Sequence, residues 1–284
     1  MTALSGVWAA SLTPLDSDLM PDADRMATHI GRLLADGCDG VVVFGTTGEA
    51  ASFSVLERIR FLDQLIERGV DPSTLIIGVG CSAVTETTEL TLSAAKHRVA
   101  AVLMLPPFYF KAVTDDDLAG AFSWVLDGTG SVPVLLYSFP QVAGVTLSPE
   151  LAGRLMNDYP GRVVGIKDSS GDLASLRAFL EAMPGGAVFP GTEVLLHPGI
   201  DEGAVGTISA MANITGPAIR AAYETPGADT VEPLIRDRDA LAQFPLVPAL
   251  KAVTARRLDD PQWAAVRPPL RMLDPAVASS LPVE

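Results

Sequence analysis

Val163-Val164-Gly165-Ile166-Lys167-Asp168-Ser169-Ser170-Gly171-Asp172 begins as a short apolar run. It passes into a cluster of reactive and hydrogen-bonding side chains, then into a helical pattern from Asp172 to Met183. The apolar part is hydrophobic at nearly every position, as suits a strand buried on both faces of a parallel sheet. Working outward, the same cycle recurs. Further apolar runs are Gly6–Leu12, Val41–Phe44, Leu75–Val79, Ala101–Leu105, Val132–Tyr137, Ala187–Phe189 and Ala204–Ile208.

Amphipathic stretches separate these runs. Asp22–Ala35 places Met26, Ile30, Leu33 and Leu34 at helical spacing. Ser54–Glu67 opens with a Ser-x-x-Glu capping box and carries Ile59, Leu62, Leu65 and Ile66 on one face. Thr114–Leu126 starts with Asp115, Asp116 and Asp117, which the helix dipole favours at an N-terminus. Ser148–Met156 has Pro149 and Glu150 in its first turn. Eight strand–helix cycles define the expected fold class, α/β, a (β/α)8 TIM barrel with additional C-terminal helices. A doubly wound sheet is the competing arrangement, but no Gly-x-Gly-x-x-Gly follows the first strand. Residues 1–225 are read as the catalytic barrel. Residues 226–284 are read as a helical extension of the same domain that packs outside the barrel and ends in a loosely held tail.

Composition narrows the function classes. The chain of 284 residues has 34 acidic and 20 basic residues, a net charge of −14. That charge repels phosphate backbones and anionic lipid, so neither nucleic acid nor a membrane surface is an expected partner. With 48% hydrophobic residues the chain is not disordered. Cys38 and Cys81 form no disulfide framework, and no Cys/His cluster has zinc spacing, so no metal is expected. The longest apolar stretch, Val99–Phe110, is interrupted by Pro106 and Pro107 and is too short to span a bilayer. The N-terminal residues show no basic-then-apolar signal, and a cytoplasmic location is expected.

In a barrel, chemistry collects at the C-terminal ends of the strands. Gly45-Thr46-Thr47-Gly48-Glu49 follows the second run, Pro106-Pro107-Phe108-Tyr109 the fourth, and Gly191-Thr192-Glu193 the seventh. The fifth ends in Tyr137-Ser138-Phe139-Pro140. Lysine is depleted in strands and rarely buried. Lys167, after Val-Val-Gly-Ile, should therefore project into the barrel mouth. Desolvation there disfavours the ammonium, leaving a nucleophilic amine able to form a Schiff base with a ketone. The alternative is a structural lysine paired with Asp168 or Glu193. Lys96, Lys111 and Lys251 fall on expected helix or loop surfaces. Tyr137, on the neighbouring strand, is either a proton shuttle or a core tyrosine with a satisfied hydroxyl. The Gly45–Glu49 loop offers backbone amides and two hydroxyls, which suit a small carboxylate, and opposite a lysine they suggest an α-keto acid. It is not a P-loop, since no Gly-Lys-Ser/Thr follows. Glu49 is read as a brace for that loop. His29, His97 and His197 are read as packing or surface residues, and Cys81 as a small apolar filler.

Gly45-Thr46-Thr47-Gly48-Glu49, Tyr137-x-x-Pro140 and Gly165-Ile166-Lys167, in this order and spacing, resemble the dihydrodipicolinate synthase / N-acetylneuraminate lyase family. The resemblance runs from Gly6 to about Asn213. It implies a class I aldolase working through a pyruvate Schiff base, with no metal or organic cofactor. By the same resemblance, Lys167 is the Schiff-base lysine and Tyr137 the general acid/base. Thr46 and Thr47 hold the pyruvate carboxylate, with Thr46 also in a proton relay and Gly48 in the same loop. Tyr109 enters the relay of a neighbouring subunit, and Gly191 and Ile208 line the pyruvyl pocket. The resemblance further implies a homotetramer, a dimer of dimers, acting on pyruvate and an aldehyde or sugar acid.

One departure bears on substrate. The synthases carry an arginine two residues after the Tyr-x-x-Pro proline, where this chain has Val142. An apolar group there removes the bidentate partner for the carboxylate of aspartate semialdehyde. The Pro-x-x-x-Gly-Val run and Lys-x-Ser-Ser-Gly-Asp (Lys167–Asp172) look more like the lyase and 2-keto-3-deoxy sugar acid aldolase branches. Ser169, Ser170, Gln141, Glu193 and Ser209 are candidate polar contacts for a polyol or aldehyde. The expected reaction is reversible cleavage of a 2-keto-3-deoxy sugar acid to pyruvate and an aldehyde. Synthase-type condensation and dehydration of a keto-deoxy acid are the alternatives.

Overall fold

A computed structural model describes residues 4–281. The first residues of the N-terminal signal reading and the last three of the expected tail lie outside that range. Eight parallel strands form a nearly closed barrel. They are β1 (Gly6–Ala10), β2 (Gly40–Val43), β3 (Leu75–Gly78), β4 (Ala101–Met104), β5 (Val134–Ser138), β6 (Val163–Asp168), β7 (Ala187–Pro190) and β8 (Gly206–Ser209). Their order is β7-β6-β5-β4-β3-β2-β1-β8, and the two ends meet where Val205 N donates to Val188 O at 3.1 Å.

The barrel helices are α1 (Ala23–Ala35), α2 (Val55–Glu67), α3 (Val84–His97), α4 (Asp115–Gly128), α5 (Pro140–Ala143), α6 (Pro149–Asp158), α7 (Leu173–Ala182), α8 (Leu196–Asp201) and α9 (Ala212–Glu224). The expected caps form: Ser54 and Glu57 make the capping box of α2, and Thr114 and Asp117 make that of α4. Beyond the barrel lie α10 (Ala228–Ala242), α11 (Leu246–Leu258) and α12 (Pro275–Ser279).

Two packed layers follow from the pleat. Inside the barrel, Trp8, Val42, Ile76, Leu103, Leu135 and Ile208 form an interior cluster that includes Tyr137 and Phe189. Outward-facing strand residues such as Val41, Val102 and Ile166 pack against the helices in a larger core. A register shift between β5 and β6 decides which face Lys167 takes. Val134 pairs with Val163 but Leu135 pairs with Gly165, so one extra residue bulges into β6. Beyond the bulge Ile166 faces the helices, while Lys167 pairs with Tyr137 on one side and Phe189 on the other, both interior residues.

The C-terminal stretch departs from expectation. Instead of lying wholly outside, α10 contributes Arg238 and the segment from Pro245 to Pro248 contributes its apolar side chains to a cavity at the barrel mouth. Lys251, expected on a surface, is fully buried on α11, which is apolar around it. Burial there requires a partner, and Glu49 of the β2–α2 loop supplies it.

Candidate active site

A cavity of about 550 Å³ opens at the C-terminal ends of the strands, and Thr46, Thr47, Tyr137, Lys167, Ser169 and Gly191 are on its wall. Lys167 is 5% exposed. Its Nζ lies 4.7 Å from the centroid of the Tyr137 ring, a desolvated cation–π distance. The structural alternative for Lys167 does not hold. Asp168 accepts from Ser170 N at 2.9 Å and Ser170 Oγ at 2.8 Å, and burial raises its carboxyl above the usual range. Glu193 is engaged by Ser209 Oγ and faces Arg238. Among the described residues Lys167 forms no ion pair, so its amine stands in the cavity beside a phenol with no carboxylate to hold it.

The Tyr137 hydroxyl is 3.3 Å from Thr46 Oγ1, so it is satisfied by a residue of the site and not by the core. This contact joins the ends of β2 and β5. The loop that carries Thr46 is built tightly. Phe44 (φ 57°) and Glu49 (φ 58°) take left-handed backbone, Glu49 N returns to Thr46 O at 3.1 Å, and Thr13 Oγ1 donates to Gly48 O at 2.8 Å. A Cβ at Gly48 would lie 3.0 Å from Phe44 N and 3.1 Å from Ser11 O. Gly48 is therefore needed for packing of the loop against its own scaffold and is not on the cavity wall. Gly191 is on the wall. A Cβ there would meet Ser169 Oγ at 2.0 Å, so its absence makes room for Ser169.

Glu49 does brace the loop, through a network the sequence did not reveal. Its carboxylate pairs with the Lys251 ammonium, and its Oε2 accepts from Arg267 N at 2.9 Å. Lys251 also donates to Ala265 O at 2.7 Å, and burial lowers its basicity while Glu49 opposes that shift. Arg267 continues outward to Ser52 O at 3.0 Å and Glu57 Oε1 at 2.7 Å, stacking over Phe53. That bond holds the Glu57 carboxyl down to about 2. Lys251 is not on the cavity wall and is held by Glu49 and Ala265 O, so among the described residues Lys167 is the one lysine on that wall.

Other expected residues fall differently. Ile208 is fully buried within the interior cluster beneath the site. Tyr109 is 73% exposed, packs edge-on against Phe110 with ring centroids 5.4 Å apart, and lies off the cavity wall in its own chain. Of the candidate polar contacts, Ser169 reaches the cavity. Ser170 is bound to Asp168, Gln141 Nε2 donates to Ser170 O at 2.7 Å, and Glu193 and Ser209 are fully buried against each other. Val142 does line the mouth. Cys81 is buried, its thiol is pushed up by that burial, and it accepts from Arg58 Nη1 at 3.4 Å. His29 is a packing residue, as read. His97 and His197 meet Asp63 and Asp201 at 2.5 and 3.3 Å.

A (β/α)8 barrel with a lysine, a tyrosine and two threonines gathered at its strand ends defines a class, the barrel aldolases and lyases. Comparison with known proteins gives the family. Residues 3–243 match the dihydrodipicolinate synthetase family, and a DapA-like lyase of Chloroflexus aurantiacus is 33% identical over 96% of this chain and 94% of its own. The chain belongs to the dihydrodipicolinate synthetase family, whose members are class I aldolases and carbon–carbon lyases. The dihydrodipicolinate synthase of Agrobacterium tumefaciens str. C58 has a crystal structure that superposes with a TM-score of 0.91. It is 35% identical, covering 98% of this chain and 97% of that one. YagE, a prophage protein of this family from E. coli K12 solved in complex with pyruvate, gives 0.88 at 26% identity, covering 98% and 96%.

Proposed function

We propose that the protein is a Schiff-base-forming, pyruvate-dependent aldolase that reversibly cleaves a 2-keto-3-deoxy sugar acid to pyruvate and an aldehyde. The observation that carries this reading is the Lys167–Tyr137–Thr46 arrangement: an amine without an ion-pair partner, 4.7 Å from the ring of a tyrosine whose hydroxyl meets a threonine of the anion loop.

In the proposed cycle Lys167 Nζ attacks the C2 ketone, and loss of water gives the iminium. The iminium withdraws electrons from the C3–C4 bond. Tyr137 takes the C4 hydroxyl proton as that bond breaks, releasing the aldehyde and leaving the enamine. Protonation at C3 and hydrolysis then return pyruvate and the free amine. Thr47 and the loop amides hold the substrate carboxylate, and Thr46 passes protons to and from Tyr137. Gly191 and Ser169 border the pyruvyl portion, Ile208 supports it from below, and Gly48 keeps the loop in shape. The cycle needs no metal or organic cofactor.

The branch assignment rests on Val142, which stands at the position where the synthases carry an arginine. A synthase-like condensation of pyruvate with aspartate semialdehyde is the second reading, favoured by the Agrobacterium synthase structure. We read residues 226–284 as an extension of the catalytic domain, since Lys251 and Arg238 both reach the site region. A cytoplasmic homotetramer, a dimer of dimers with Tyr109 entering a neighbour's site, completes the proposal, and the exposure of Tyr109 in the single chain supports it.

The test is an activity panel: aldehyde release from 2-keto-3-deoxy sugar acids and from N-acetylneuraminate, and condensation of pyruvate with aspartate semialdehyde. Cleavage of a keto-deoxy acid is the expected result. Efficient condensation with aspartate semialdehyde, and no cleavage, overturns the branch assignment.

A further inference from the structure

We propose that Arg238 selects the second substrate by binding an anionic group at the end of the aldehyde remote from its carbonyl, so that the acid cleaved carries a carboxylate or phosphate there. This deepens the aldolase reading and rests on it.

Arg238 lies on α10 and lines the same cavity as Lys167. Val194, Leu195, Leu246, Val247 and Leu270 give the same cavity an apolar portion, with Thr192 on the wall as well. A guanidinium carries five N–H donors in a planar fork matched to carboxylate and phosphate oxygens. Among the described residues Arg238 donates no hydrogen bond. Its one ion-pair partner is Glu193 Oε1, 3.5 Å from Nη1, and both of those atoms are buried without a hydrogen bond. Glu193 cannot turn to meet a ligand itself. It is fully buried, and its other oxygen is held by the Ser209 hydroxyl, which in turn accepts from Met211 N at 3.0 Å. Glu193 thus fixes one edge of the guanidinium from behind, and the remaining donors are left for whatever enters the cavity.

Glu193 and Ser209, the most polar residues expected to meet hydroxyls, are spent on each other below the surface. A cation with unspent donors in a partly apolar cavity discriminates most strongly for an oxyanion, because such a ligand restores the hydrogen bonds that a neutral one leaves unmade. Val142 makes the mouth apolar, so Arg238 is the cation on this cavity wall besides Lys167 among the described residues.

The experiment measures kcat/KM for condensation of pyruvate with paired aldehydes: succinic semialdehyde against butanal, and glyceraldehyde 3-phosphate against glyceraldehyde. The charged-to-neutral ratio is the readout, which general damage to a variant does not mimic. The unsubstituted protein is expected to favour the charged member of at least one pair by about tenfold to a hundredfold, the range of one charge-assisted hydrogen bond. The favoured pair distinguishes carboxylate from phosphate. Because Arg238→Met alone strands a buried carboxylate, it is combined with Glu193→Gln, and this double variant should bring the ratio near one. Arg238→Lys should keep part of it. Ratios near one in the unsubstituted protein, no turnover of either charged aldehyde, or a ratio unchanged in the double variant each overturn the assignment. Borohydride trapping of pyruvate separates the two levels. An adduct on Lys167 with no charge preference overturns Arg238 alone, whereas absence of the adduct overturns the aldolase reading and this assignment with it.

Discussion

Glu49 and Lys251 form an ion pair with both side chains fully buried, tying the Gly45–Glu49 loop after β2 to helix α11 near the other end of the chain. Two charges taken out of water need each other and further hydrogen bonds, and here Arg267 N and Ala265 O supply them. This pair joins the C-terminal segment to the loop that carries Thr46 and Thr47. Lys251→Met should lower unfolding stability by about 3–5 kcal/mol, the cost of a buried charge left unpaired. Glu49→Gln combined with Lys251→Met should recover most of that loss. Urea unfolding of both variants checks this, and a neutral Lys251→Met would mean the pair carries no weight.

The imidazole of His29 is 2% exposed and held in its neutral form. Burial, then the charge of Arg32, push it down to about 3, with the Asn213 contact opposing them. Its Nε2 meets Asn213 Oδ1 at 3.0 Å and its Nδ1 meets Arg32 Nη2 at 3.0 Å, so the first donates and the second accepts. An unfolded histidine takes its proton near pH 6.5. Below that pH the unfolded chain binds a proton the folded one refuses, so stability falls as pH drops from about 6.5 toward 3. Between pH 7 and 4.5 this group alone should remove about 2–3 kcal/mol. His29→Gln should lose correspondingly less over the same interval, as read by chemical unfolding at the two pH values. Equal losses would contradict the assignment.

Tyr137→Phe removes the proposed proton carrier and leaves the ring that packs beside Lys167. A general acid/base contributes about a hundredfold to ten-thousandfold. The expected outcome is a fall of that size in kcat with little change in KM, while Thr46→Val, which removes the relay partner 3.3 Å away, should cost less. Steady-state kinetics with the best keto-deoxy acid gives both numbers. A Tyr137→Phe enzyme within about tenfold of the parent would assign the proton transfer elsewhere.

Much of the barrel was legible in the sequence because strands buried on both faces leave continuous apolar runs. Expected and observed strand ends differ by two residues or fewer, as with Val163–Ile166 against β6 at Val163–Asp168. Lys167, Tyr137, Thr46 and Thr47 were legible for the related reason that reactive residues stood at the ends of such runs, and the structure brings these four to one cavity. What the sequence hid depended on long-range packing. Lys251 sits in Pro248-Ala249-Leu250-Lys251-Ala252-Val253, an apolar context like that of Lys167. Only long-range packing of α11 against the β2–α2 loop distinguishes it from a surface lysine, and that packing leaves no local mark in the sequence. Arg238 had no local signal, since a single arginine in a helix of mixed charge reads as solvated until its neighbour across the fold is known. The Glu193–Ser209 contact joins β8 to the turn after β7, and two isolated polar residues do not announce that they will satisfy each other.

On the proposed cycle Lys167 forms a covalent imine with pyruvate. Sodium borohydride added to the protein with pyruvate, followed by intact and peptide mass spectrometry, tests it most directly. The expected result is a reduced pyruvyl adduct confined to the peptide containing Lys167 and absent from Lys167→Ala. No adduct on the unsubstituted protein, or an adduct that persists in Lys167→Ala, would contradict it.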